Sequence, residues 1–180
     1  SGVIGRLLDA GARCIIAPTV ESADEAASLV AAVKYPPLGR RSLGPSRSGV
    51  YEGAGDPRRA NDWVRAIAQI ESRAGVEAAA DIVATPGLDS IYFGPADLAF
   101  SYGHPISDML GPDSPLRAEL MQILESAHAT GLTTGTFAID EANAAALMAD
   151  GLLDYAALAV DVGLFAAAAS AKISTFRSHS

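Results

Sequence analysis

Five short apolar runs, at residues 14–19, 65–70, 90–93, 133–138 and 155–160, alternate with stretches of helical character. This alternation constrains the chain more than any other feature. The runs are mostly apolar on both faces rather than at every second position, the pattern of strands covered by helices on both sides. Parallel neighbours need a crossover connection, and a helix is the usual one. The pattern therefore predicts a parallel α/β architecture, either a doubly wound sheet or a (β/α)8 barrel.

The helices carry their own start and stop signals. Ser22-Ala23-Asp24-Glu25 reads as a capping box opening a helix towards Lys34, which Tyr35-Pro36-Pro37 stops. Ser72 opens a helix to Val83, closed by Pro86-Gly87; Ser114-Pro115 opens one that ends at Gly131. Asp140 suits the cap of a helix running to Asp150, and residues 163–176 form a last, alanine-rich helix. Residues before Gly11 read as a helix already under way. Two long loops, 36–60 and 98–113, are rich in Gly, Pro and Arg. No repeat or domain boundary interrupts the pattern, so residues 1–180 are expected to form a single domain.

Composition narrows the function classes. A net charge of −8 with no basic face argues against nucleic-acid binding. No apolar run reaches the ~18 residues of a membrane span, and the first residues lack a signal-peptide pattern. The one cysteine, Cys14, excludes an internal disulfide and fits a reducing, cytoplasmic setting; its apolar surroundings predict a buried small hydrophobe. The nucleotide-binding patterns G-x-G-x-x-G and G-x-x-x-x-G-K-[ST] are absent, as is G-x-S-x-G. Neither lysine, Lys34 or Lys172, follows a strand, so Schiff-base chemistry has no evident nucleophile. His128 and His179 read as solvated, whereas His104 and the cluster Arg40, Arg41 and Arg47 lie in loops that could approach a site.

Glu71 and Asp97 are the sharpest chemical signal. Each follows directly on an apolar strand, and the two strands are consecutive. Neighbouring parallel strands lie about 4.8 Å apart, so both acids would emerge on one sheet edge. Two anions so placed repel unless a proton or cation lies between them, and carboxylates with open positions suit Mg²⁺ or Mn²⁺. The alternative is two unrelated loop acids, one of them a helix cap. Gly94-Pro95-Ala96 adds a tight turn whose backbone N–H groups could hold an oxyanion.

Taken together, LLDAGARCIIAPTVESADEA (7–26), KYPPLGRRSLGP (34–45), QIESRAG (69–75), IYFGPADL (91–98) and LAVDVGLF (158–165) make the chain resemble the HpcH/HpaI aldolase family, the metal-dependent 2-oxo-acid aldolases related to citrate lyase β subunits. The resemblance implies a (β/α)8 barrel, of which these residues match strands four to eight. The first three strands, a general-base histidine and a substrate-holding arginine of the family pattern have no counterpart in the 180 residues. It implies Glu71 and Asp97 as ligands of a divalent Mg²⁺ or Mn²⁺. Gln69 and the backbone of Gly94 and Ala96 would contact substrate. Asp9 would support the base of a neighbouring subunit in a homo-oligomer, a hexamer or trimer, with the last helix packing on a neighbour. The implied reaction is reversible cleavage of a 4-hydroxy-2-oxo acid to pyruvate and an aldehyde. Two other readings remain open: a citrate-lyase-like or malyl-CoA-type lyase acting on a thioester, and a non-catalytic fragment contributing only an interface.

Overall fold

A computed structural model describes residues 2–43, 56–105, 113–138, 141–149, 151 and 153–178. Five strands form, β1 (Cys14–Ala17), β2 (Arg65–Ile70), β3 (Ser90–Phe93), β4 (Thr133–Phe137) and β5 (Tyr155–Ala157). They pair in chain order, all parallel, in one sheet curled into a partial barrel. The barrel alternative is thus the one realised. Every strand ends at the same edge, so whatever follows β1, β2 and β3 is gathered at one mouth.

The helices are α1 (Gly2–Asp9), α2 (Ala23–Val33), α3 (Arg73–Glu77), α4 (Ala79–Val83), α5 (Pro95–Tyr102), α6 (Arg117–Ala129), α7 (Glu141–Ala149) and α8 (Asp161–Ser178), with a 3-10 turn at Pro57–Asp62. The core lies between the sheet and its outer helices. Leu29, Val30 and Val33 of α2, Ile82 and Val83 of α4, and Leu120 and Leu124 of α6 pack on the outward side chains of the strands. Burial of that kind, not intrinsic propensity, is what holds helices as short as α3 and α4.

Several expectations needed correction. The helix from Ser72 to Val83 is broken at Ala78 into two five-residue pieces. Part of the loop expected at 98–113 is helical, because α5 starts at Pro95, directly after β3, and runs to Tyr102. Strands β1 and β5 stop short of Thr19 and Val160. At α2, Ser22 accepts the Glu25 N–H as a capping box requires, but Glu25 reaches back to the N–H of Glu21 rather than to that of Ser22. Ser114 Oγ accepts the N–H of Leu116, one turn before α6 proper. Cys14 is exposed, not buried, because β1 is an edge strand and Cys14 faces the open barrel interior. His128 is not merely solvated: its Nε2 lies 3.0 Å from Asp154 Oδ2 and 3.1 Å from Thr134 Oγ1. The cap at Asp140, the helix end at Asp150, Arg47 and His179 lie outside the described residues.

At the N-terminal sheet edge, Lys34 is 2% exposed and places Nζ 2.7 Å from the Val64 carbonyl and 2.8 Å from Asp89 Oδ2. Asp89 also accepts the N–H of Ala66. A charge this buried is tolerated only when paired and hydrogen-bonded. Lys34 thereby ties the end of α2 to the starts of β2 and β3, far from the mouth.

Candidate active site

The mouth is built from the ends of β1, β2 and β3. Glu71 is the residue after β2, and it is 6% exposed. Its carboxylate is held on both oxygens. Thr19 donates its backbone N–H (2.8 Å) and its hydroxyl (2.9 Å) to Oε1. Gln69 Nε2 donates to Oε2. All three donors are neutral, and among the described residues no lysine, arginine or histidine pairs with Glu71. The carboxylate is thus satisfied by hydrogen bonds but has no opposite charge beside it among the described residues.

Gly94 explains how Glu71 comes to lie against the next strand. It is the residue between β3 and α5, and a Cβ there would overlap Glu71 Oε2 and Gln69 Nε2. Only glycine permits that approach. Pro95 then occupies the first helical position, where its missing N–H costs nothing. The N–H groups of Ala96 and Asp97, in the first turn of α5, have no intrahelical acceptor and point out of the helix start. Asp97 is exposed in that turn, where its charge suits the helix dipole. Both readings of Asp97 therefore meet in one place: it is a first-turn acid and it lines the mouth.

Beside these groups lies a cavity of about 460 Å³, lined by Gln69, Gly94, Ala96 and Asp97 together with Tyr92, Ile16, Pro18, Pro95 and Phe137. The expected substrate contacts and one expected metal ligand thus share one wall, with the Glu71 carboxylate directly behind Gln69 and Gly94. Tyr92 faces the barrel interior in register with Gln69 and Gly135. Burial, and secondarily the neighbouring Tyr155, pushes the Tyr92 phenol up to about 12. It is consequently a neutral hydroxyl rather than a base at ordinary pH. Tyr155 is raised too, chiefly by burial, against an opposing hydrogen bond with Ser90.

Asp9 is not brought to this cavity. It ends α1 at the opposite edge of the sheet and accepts a 2.9 Å bond from Arg41 Nη2. Arg41 is itself buried, lying over the Tyr35 ring at 4.7 Å. Arg40 is exposed. His104 stacks on Tyr102 beyond α5 and does not line the cavity. Thr19, which holds the Glu71 carboxylate, was not singled out from the sequence. The available signal was its position immediately after Pro18 at the end of β1, next to the strand that delivers Glu71.

Comparison with known proteins places these features in context. The sequence profile of the HpcH/HpaI aldolase/citrate lyase family matches residues 1–168. A hydroxypyruvate/pyruvate aldolase of Chromohalobacter salexigens is 37% identical over 180 residues, covering 97% of this chain and 68% of the relative. A 2-keto-3-deoxy-L-rhamnonate aldolase of Klebsiella pneumoniae is 34% identical, covering 99% of this chain and 66% of its own. Among solved structures, an HpcH/HpaI aldolase/citrate lyase family protein from Burkholderia cenocepacia superposes with a TM-score of 0.78 at 33% identity, over 98% of this chain and 69% of that one. The chain spans about two thirds of the length of these relatives.

Proposed function

From the premise that this chain belongs to the HpcH/HpaI aldolase/citrate lyase family, we propose that it carries the metal-holding wall of a class II pyruvate aldolase. The reaction is reversible cleavage of a 4-hydroxy-2-oxo acid to pyruvate and an aldehyde. The observation that carries the reading is Glu71: a 6%-exposed carboxylate, hydrogen-bonded among the described residues by neutral groups alone, at a sheet edge it shares with Asp97. The names of its relatives, a hydroxypyruvate/pyruvate aldolase and a 2-keto-3-deoxy-L-rhamnonate aldolase, support the same class.

Glu71 and Asp97 would hold Mg²⁺ or Mn²⁺. Hard oxygen donors of this kind suit either ion, and the buried charge of Glu71 has no protein cation to balance it among the described residues. Such an ion, when bound, acts as a Lewis acid on the 2-oxo group. The remaining work falls to the chain. The free N–H groups at the start of α5, with Gln69 beside them, receive the carboxylate end of the 2-oxo acid. Tyr92 stays protonated and offers a hydroxyl to the cavity. Ile16, Pro18 and Phe137 supply apolar walls that keep water from the reacting carbons. Asp9 is proposed for the site of a neighbouring copy, since in its own chain it lies at the other edge of the sheet.

A thioester substrate would need a cationic entrance for its phosphates. Arg41 is buried against Asp9, leaving exposed Arg40 as the cluster's one available arginine among the described residues. The simple 2-oxo acid is the better fit.

The test is pyruvate release from a panel of 4-hydroxy-2-oxo acids by the full-length protein. Turnover should vanish on chelation, return with Mn²⁺ or Mg²⁺, and be lost in Glu71→Gln. Cleavage indifferent to chelator would overturn the metal assignment. Absence of turnover with every metal would instead favour a purely interfacial role.

A further inference from the structure

We propose that Thr19 is a positioning residue whose hydroxyl fixes the Glu71 carboxylate for metal binding. The proposal rests on the reading of Glu71 as a metal ligand. It starts from an anomaly in the backbone: Thr19 has φ +53°, and among the described residues it is the only non-glycine with positive φ. A β-branched residue is especially disfavoured there, because its Cβ substituents crowd the adjoining peptide. Glycine or asparagine would adopt the same turn more easily.

Packing does not explain why threonine occupies this position, since Thr19 is exposed. Hydrogen bonding does. In the left-handed conformation both its N–H and its Oγ1 point at one atom, Glu71 Oε1, 52 residues away in sequence. The next residue is fastened to the same strand, with the Val20 N–H donating to the Gln69 carbonyl at 3.0 Å. The β1 end is therefore stitched to the β2 end at two consecutive residues. Glycine at position 19 could supply the N–H but not the hydroxyl. Strained backbone held in place by its surroundings is commonly found where a site needs a fixed geometry.

The consequence is specific. With Thr19 on Oε1 and Gln69 on Oε2, the plane of the Glu71 carboxylate is set before any ion arrives. Lone pairs not used by these donors remain for the cation. Groups that orient a ligand in this way typically change metal affinity without touching the metal.

The test is Mn²⁺ binding to the metal-free, full-length protein, measured by titration calorimetry and by the electron paramagnetic resonance signal of free Mn²⁺. Thr19→Val keeps the shape and the N–H but removes the hydroxyl, and should weaken Mn²⁺ binding about tenfold or more. Thr19→Ser restores the hydroxyl and should bind within about threefold of the parent. Thr19→Gly removes both the hydroxyl and the backbone conflict, so it folds even if the valine variant does not, and it should also bind weakly. Parent-like binding by the valine and glycine variants would overturn the proposal, as would equal loss in the serine variant. Glu71→Gln separates the two layers. If it abolishes binding while Thr19→Val does not, the positioning role alone fails. If it leaves Mn²⁺ binding intact, or the parent binds none, the metal reading fails and takes the Thr19 role with it.

Discussion

A single missing side chain decides the geometry of the mouth. Gly94 lets Glu71 and Gln69 lie against the turn between β3 and α5, and any Cβ there would overlap both. Gly94→Ala should thus displace the carboxylate rather than unfold the chain, since the residue lies outside the regular strand. The expected outcome is Mn²⁺ affinity and pyruvate release reduced about 100-fold, in the range for disturbed ligand geometry. The thermal midpoint should fall by only a few degrees, as checked by calorimetry and circular dichroism. At this scale the sequence was legible where a residue's type implied its place: acids after strands, glycine and proline at a strand end. It was illegible for Thr19, because a threonine after a proline carries no mark of positive φ. His128 was misread for a related reason. Its partner Asp154 lies 26 residues away, and only the pairing of β4 with β5 brings them together.

Within the sheet, register rather than local preference organises the barrel interior. Gln69, Tyr92, Gly135 and Tyr155 occupy one row across β2 to β5. Gly135 lacks a side chain where the Tyr155 ring lies, and Tyr92 stacks on Tyr155 at 6.1 Å. The raised Tyr92 phenol carries a pH prediction. The folded chain holds that proton more tightly than the unfolded one, so its stabilising contribution is complete below pH 10 and is lost as pH rises from 10 towards 12. A shift of that size corresponds in full to about 2–3 kcal/mol, which solvent screening reduces. Urea midpoints followed from pH 9 to 12 should fall more steeply for the parent than for Tyr92→Phe; parallel curves would contradict it. The interior row was not legible beforehand, because each strand reads as apolar on both faces and nothing local reveals which face meets the barrel axis. Nor was the break at Ala78, where the pattern predicts one continuous helix through an alanine-rich stretch.

At the scale of the whole molecule, α8 stands apart: none of its 18 residues is buried, and Phe165 and Phe176 are 78% and 75% exposed. A helix this apolar and this uncovered fits the homo-oligomer proposed from the family resemblance. Phe165→Asp combined with Phe176→Asp should lower the mass measured by light scattering while leaving the circular dichroism of the fold unchanged; an unaltered mass would remove α8 from the interface. The alternation of apolar runs and capped helices sufficed for the parallel α/β class and for the edge at which Glu71 and Asp97 emerge, because parallel strands joined by crossover connections all end on one side; the order of the strands came from the structure. Tertiary structure alone decided that the sheet curls rather than lies open, that Cys14 faces an uncovered interior, and that Thr19 and Gln69 clamp Glu71. These depend on contacts between residues distant in sequence, whose geometry is set by strand twist and register and leaves no periodicity along the chain.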